Sequence, residues 1–246
     1  MRVFLACASG LDDTMKESKY LLESFFNGEK QCLKVLKNCS REGFLLDSGA
    51  FSYMNGQKCT KEKLLNYLDE YIKFINKYDI KYFFELDVDT IFGTEFVEYM
   101  RKKLERETGK KSIPVWHKIR GIDYWKRMVD EYDYIAVGGL AIKDIKEKEY
   151  GLIKKMVEYA CAHGVKVHGL GFTKTKKLIN EKWAFYSVDS SSWLSSATRG
   201  QKLQIFKNGY MQNLNKEKNV TKANIYKMEV FNFKEWCKYQ KYMENF

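Results

Sequence analysis

Short apolar runs recur along this chain. Each ends in small or polar residues, and most are separated from the next by a stretch of helical period. They read "RVFLACAS", "FLLDSGAFS", "KYFFELDVD", "SIPVWHKI", "YDYIAVGGLA", "VKVHGLGFT", "AFYSVDSSS" and "LQIFKNG". Near-continuous apolar strands alternating with helices belong to a parallel sheet covered on both faces. Roughly eight such runs predict a (β/α)8 TIM-type barrel, α/β in class, formed as a single domain over residues 1–246. A doubly wound open sheet is the alternative. No G-x-G-x-x-G follows the first run and no Walker A motif is present, which weighs against the nucleotide-binding versions.

The intervening stretches have the period of amphipathic helices. "TKEKLLNYLDEYIKFINKY" sets Leu64, Leu65, Leu68, Tyr71, Ile72 and Ile75 on one stripe, with Thr60 as half a capping signal. "TEFVEYMRKKLERETG" and "YGLIKKMVEYACAHG" repeat the pattern, the second stopping at Gly164. The tail "KMEVFNFKEWCKYQKYMENF" predicts a strand or loop leading into a final helix.

Composition bounds the function. The chain is 45% hydrophobic and 15% aromatic, enough for a sizeable core, and carries a formal net charge of +11. A basic surface suits nucleic acid or another polyanion, although lysine-rich solvated faces under an A/T-biased composition give the same total. The six cysteines form no C-x-x-C pair and have irregular gaps, so they predict reduced thiols in a cytoplasmic setting rather than zinc or disulfides. The opening apolar run is too short for a signal peptide, and no stretch approaches the ~18 apolar residues of a membrane span.

In a parallel barrel the C-terminal strand ends converge on one mouth. Read this way, the runs deliver Asp47 from "LLDSGAF", Asp87 and Asp89 from "ELDVD", His117 from "PVWHKIRG" and Asp189 from "SVDSSS". Each has a bland reading: a turn former, a loop acid pair, a core histidine. Together they are harder to dismiss, because half-buried carboxylates cost free energy unless paired or put to use. Two separated carboxylates at one mouth suit chemistry at a sugar C1 atom, one attacking and the other moving a proton. The serines after Asp189 are placed to hydrogen-bond its carboxylate. The glycines of "AVGGLA" and "HGLGF" let backbone approach a ligand. A D-x-D metal site at Asp87 and Asp89 is the competing reading.

The ordered set "DSGAF", "ELDVD", "AVGGLA", "HGLGF" and "SVDSSS", over about residues 44–200, resembles the tRNA-guanine transglycosylase superfamily. The resemblance implies a barrel that exchanges guanine in nucleic acid for a 7-deazaguanine. It implies Asp189 as the nucleophile at C1′, Asp47 as general acid/base, and Phe51 stacking on the base. Asp87 would read the guanine edge, Gly138, Gly139 and Leu140 would approach the base through their backbone, and His168 and Gly169 would pack beside it. His117, with Trp116, stands where the family has a G-x-V-Q-G segment, so it is expected at the base. The family's zinc subdomain has clustered cysteines, whereas only Cys237 lies near this C-terminus, so no structural zinc and no cofactor are expected.

The compact barrel resembles the divergent branch found in phages and bacterial genomic islands that acts on DNA. The expected partners are therefore DNA, with tRNA as the alternative, and a 7-deazaguanine such as 7-cyano-7-deazaguanine, with a possible protein partner for access to DNA. The expected setting is cytoplasmic, the host's if phage-encoded. Arg199 is the expected phosphate contact. Rival expectations are a metal-dependent hydrolase or glycosyltransferase, and a non-catalytic nucleic-acid-binding barrel.

Overall fold

The computed structural model describes residues 1–55, 60–142, 144–172, 174–216 and 221–246. In chain order the elements are β1 (Arg2–Ala6), β2 (Leu21–Ser24), α1 (Glu29–Leu36), β3 (Phe44–Asp47), α2 (Ala50–Asn55), α3 (Lys61–Tyr78), α4 (Asp89–Phe92), α5 (Thr94–Thr108), β4 (Val115–Trp116), α6 (Gly121–Glu131) and β5 (Tyr134–Val137). They continue with α7 (Tyr150–Ala162), β6 (Lys166–Gly169), α8 (Thr175–Asn180), β7 (Ser187–Ser190), α9 (Ser192–Thr198), β8 (Lys202–Lys207), β9 (Tyr210–Lys216) and α10 (Lys222–Met243).

Seven strands form one parallel sheet in the order β3-β2-β1-β7-β6-β5-β4, and β8 pairs with β9 in a separate antiparallel ribbon. The sheet is curled and flanked by helices, as in a TIM-like half-barrel. It is not the closed eight-strand barrel expected. The run "KYFFELDVD" forms no strand. It touches the sheet through two isolated parallel bridges, Leu46 with Phe83 and Phe84 with Ile113. The ladder stops there because the Val115 N–H donates to the Glu85 carboxylate at 2.7 Å, where a continuing strand would supply a carbonyl.

Three other expectations need correction. β2 has no counterpart among the expected runs. "LQIFKNG" belongs to the outer ribbon and not to the main sheet. The tail is helical from Lys222, with Thr221 capping it through the Asn224 N–H. This last helix seals the sheet: Gln240 Nε2 donates to the carbonyls of Val3 and Tyr20 at 2.7 and 3.1 Å.

The expected helices form much as read. Leu64, Leu68, Tyr71, Ile72 and Ile75 of α3 are buried, and Thr60 Oγ1 accepts from the Lys63 N–H at 3.3 Å. Along each strand the side chains alternate between two apolar layers. Val3, Leu5, Leu21, Phe44, Leu46, Ile135, Val137, Val167 and Val188 join the helices in the outer core. Phe4, Ala6, Leu22, Leu45, Phe84, Val115 and Ala136 fill the concave interior. This parity decides the site. Asp47 follows outward Leu46, and Asp189 follows outward Val188, so both acids turn inward at strand ends. Among the described residues no helix is long and apolar enough to cross a membrane.

Candidate active site

The C-terminal ends of the strands surround a cavity of about 860 Å³. Asp47, Asp87, His117, Gly138, Gly139, Leu140 and Asp189 all line it. Seven of the expected site residues therefore meet at one place. Phe51 sits in α2, but its side chain lies outside the described residues.

Asp189 is held from two sides. Its Oδ1 accepts the Gly171 N–H at 2.6 Å and lies 3.2 Å from His168 Nε2. Oδ2 has no hydrogen-bond partner among the described residues. His168 is fully buried below the cavity floor, with its ring 5.2 Å from Phe84 and 6.1 Å from Phe4. Its Nδ1 is 2.6 Å from Ser187 Oγ, which lies 2.5 Å from Tyr134 Oη. A consistent direction runs from the Tyr134 hydroxyl to Ser187, from Ser187 to Nδ1, and from Nε2–H to Asp189.

Two expectations change here. The serines after Asp189 do not hydrogen-bond its carboxylate. Ser190 Oγ caps the Ser192 N–H at 3.1 Å, and Ser192 Oγ accepts from Gln204. His168 and Gly169 do not line the cavity either. Inward parity drives His168 into the interior beneath Asp189, and a Cβ on Gly169 would lie 3.0 Å from the Phe185 ring. Leu170, Gly171 and Phe172 take the wall position instead.

Asp47 is the site's distinctive acid. Burial, then the charges of Asp87 and Asp189, push its carboxyl up to about 7. The Gly49 N–H donates to Oδ2 at 3.2 Å, in a turn that needs φ +69°. A carboxyl at that value can give or take a proton near neutrality. Cys7, beyond β1, is pushed up to about 12 by burial and by Glu23, Asp47 and Asp189, so its thiol stays protonated.

On the opposite wall, His117 Nε2 lies 3.3 Å from Asp87 Oδ2, and Nδ1 lies 2.7 Å from Asp89 Oδ1. Burial disfavours the imidazolium, but the hydrogen bonds to Asp87 and Asp89 prevail and push it up to about 10. Asp89 is buried, which alone would raise its carboxyl. His117 and Arg120 outweigh this and hold it at about 2. Behind them Arg120 Nε donates to Asp89 at 2.8 Å and Nη1 to Glu85 at 2.9 Å, while Arg101 reaches the other Glu85 oxygen at 3.1 Å. Three carboxylates and three cations are thus interlocked in and behind the wall. Gly138 closes against the imidazole: a Cβ there would lie 2.3 Å from Nε2.

The competing reading made Asp89 half of a D-x-D metal pair. It is fully buried between His117 and Arg120, which leaves it no free oxygen for a cation. Glu85, Arg101 and Arg120 escaped the sequence reading because their partners lie 16 and 35 residues apart, beyond any local spacing. Arg199 is exposed one turn past the wall residue Ser195 and does not line the cavity. No protein-family model and no curated protein sequence matches the chain.

Proposed function

We propose that this protein is a base-exchange enzyme that replaces guanine in DNA with a 7-deazaguanine through a covalent aspartyl-nucleoside intermediate. The observation that carries the reading is the placement of Asp189 and Asp47 at the inward ends of β7 and β3, over one cavity also lined by Asp87 and Gly138–Leu140. A volume of about 860 Å³ is of the size that accommodates a nucleoside.

The residues suit a double displacement. Asp189 Oδ1 is occupied by Gly171 and His168, which leaves Oδ2 to attack C1′. The C1′–N9 bond breaks as the aspartyl ester forms, and protonated Asp47 gives its proton to the departing base. The incoming base then loses its N9 proton to the Asp47 carboxylate, N9 attacks C1′, and Asp189 is released. A group poised near 7 can serve both halves. Asp87 accepts from the N–H groups of the guanine edge, and the Gly139 and Leu140 amides lie along the same wall. The two bridges at Phe83 and Phe84 support treating that segment as the closing stave of a TIM-type barrel. A duplex target must be unstacked to reach the cavity, at a cost of a few kcal/mol.

Release of labelled guanine from DNA, with and without 7-cyano-7-deazaguanine, tests this, with unmodified tRNA in parallel. Asp189→Asn should abolish release. Release from tRNA alone would move the substrate to tRNA. Equal release by the variant and the unaltered protein would end the nucleophile assignment.

A further inference from the structure

Charge is unevenly distributed over this molecule. Residues 190–228 contain seven Lys or Arg residues and a single acid, Glu217. Acidic residues are otherwise frequent, 32 in the whole chain, and most faces pair them with lysines. Among the described residues no ion pair involves any position from 190 to 228. Arg199, Lys207, Lys222 and Lys227 are exposed.

The described parts of this acid-poor stretch also form one structural unit. It starts on the cavity wall, where Ser191, Ser192 and Ser195 face the cavity. It continues through α9 into the β8–β9 ribbon and the first turns of α10. Gln204 joins these pieces: its Nε2 donates to Ser192 Oγ at 3.1 Å and to Asn213 Oδ1 at 2.8 Å, and its Oε1 accepts from Trp236 at 2.7 Å. Asn232 adds bonds to the Trp193 and Lys202 carbonyls, both at 3.1 Å. On the ribbon's outer face Lys176 stands 5.5 Å over the Tyr210 ring, opposite Lys207 in register. Partly exposed Gln212 and exposed Asn213, Leu214 and Tyr226 intersperse the cations.

We propose that the α9–ribbon–α10 surface is the docking face for a single nucleic-acid strand, with phosphates running along it and one nucleoside turned into the cavity at Ser191–Ser195. The inference rests on the reading that the cavity receives a nucleoside from a nucleic acid. Unpaired cations on a rigid support attract a polyanion without reading its sequence, and exposed amides and aromatic rings suit sugar and base contacts. The surface reaches the cavity through α9 itself, so a bound strand is already beside Asp189.

The test is fluorescence anisotropy with a labelled single-stranded 20-mer. The variant Arg199→Glu/Lys207→Glu/Lys222→Glu/Lys227→Glu is compared with a control of equal charge change, Lys30→Glu/Lys37→Glu/Lys126→Glu/Lys155→Glu, whose lysines lie elsewhere, are exposed and form no ion pair among the described residues. The ribbon variant should bind at least ~10-fold more weakly, with a salt slope reduced by about 0.7 for each phosphate it no longer neutralises, while the control changes less than about twofold. Equal weakening in both variants, or displacement of the strand by an acidic peptide but not by unlabelled DNA, would overturn the proposal. Photocrosslinking of the unaltered protein to a 4-thiothymidine strand gives a readout free of folding effects. Crosslinked peptides should fall within residues 190–228, and peptides mainly from elsewhere would refute the surface. Binding of free guanine, followed by calorimetry, separates the two readings. Its retention in the ribbon variant supports a docking role, and its absence from the unaltered protein, with strand binding still ribbon-dependent, would remove the cavity reading and leave the surface standing.

Discussion

The amide nitrogen of Gly171 lies 2.6 Å from Asp189 Oδ1, and Gly171 can occupy that place only as glycine. Its φ is +62°, and a Cβ would lie 2.5 Å from the Ala141 Cβ. Asp189, the proposed nucleophile, is aimed by a backbone that tolerates no side chain.

Gly171→Ala should therefore lower turnover by about 10–100-fold through loss of one charge-assisted hydrogen bond, with little change in KM. Steady-state base exchange would show the split. A rise in KM at constant kcat would mean that Gly171 serves binding and not the carboxylate.

Asp47 should make both the proposed activity and the stability depend on pH. Its folded value, about 7, lies above the ordinary 3.8, so the folded state holds a proton that the unfolded chain has released between about pH 4 and 7. Stability from this group is present at low pH and declines as pH rises through that window. Asp47→Asn should remove this decline and stabilise the protein at pH 8 by on the order of 1–3 kcal/mol. The same variant should lose the fall in guanine release above pH 7. Denaturant unfolding at pH 5 and pH 8 checks the first expectation; an unchanged difference between the two pH values would rule out a raised Asp47.

Gly138→Ala places a methyl 2.3 Å from His117 Nε2 and must push the imidazole or the β5 end aside. Affinity for free guanine, measured by calorimetry, should fall at least ~10-fold while the melting temperature moves only a few degrees. Unaltered affinity would detach His117 and Gly138 from base recognition.

Arg120→Met leaves Asp89 and Glu85 short of a cation inside the protein. Breaking a buried ion network by removing one partner costs about 3–5 kcal/mol. Urea unfolding should report that loss, and Arg120→Lys, which keeps the charge but not the fork, should recover only part of it. A loss below about 1 kcal/mol would show that the network contributes little.

Much of the site is legible in sequence because an acid at the end of an apolar run has a parity as well as a position. "FLLD" and "SVD" place Asp47 and Asp189 on the face opposite their apolar neighbours, and "AVGGLA" needs no structure to be read as a close approach. His168 follows the same inward rule, yet it sits one step deeper than a wall residue, and depth along a strand leaves no mark in residue spacing. β2 stayed hidden because four residues after a charged stretch carry too little period to register. "LQIFKNG" has a strand's composition, but only the later residues Asn213, Asn232 and Trp236 make it part of an outer ribbon. The expected closing strand failed over one side chain, the Glu85 carboxylate that intercepts the Val115 amide.

That interception ties the wall to its foundations. Glu85, Arg101, Arg120, Asp89, His117 and Asp87 form a neutral block only as a complete set. Replacing any one of the buried members strands a charge, so the intermediates between this wall and a differently built one are unstable. A lineage carrying this arrangement is held in it: these positions should change together or stay as they are, and adaptation of the cavity would proceed through other residues of its lining, such as Ala141, Ile142, Leu170 and Phe172.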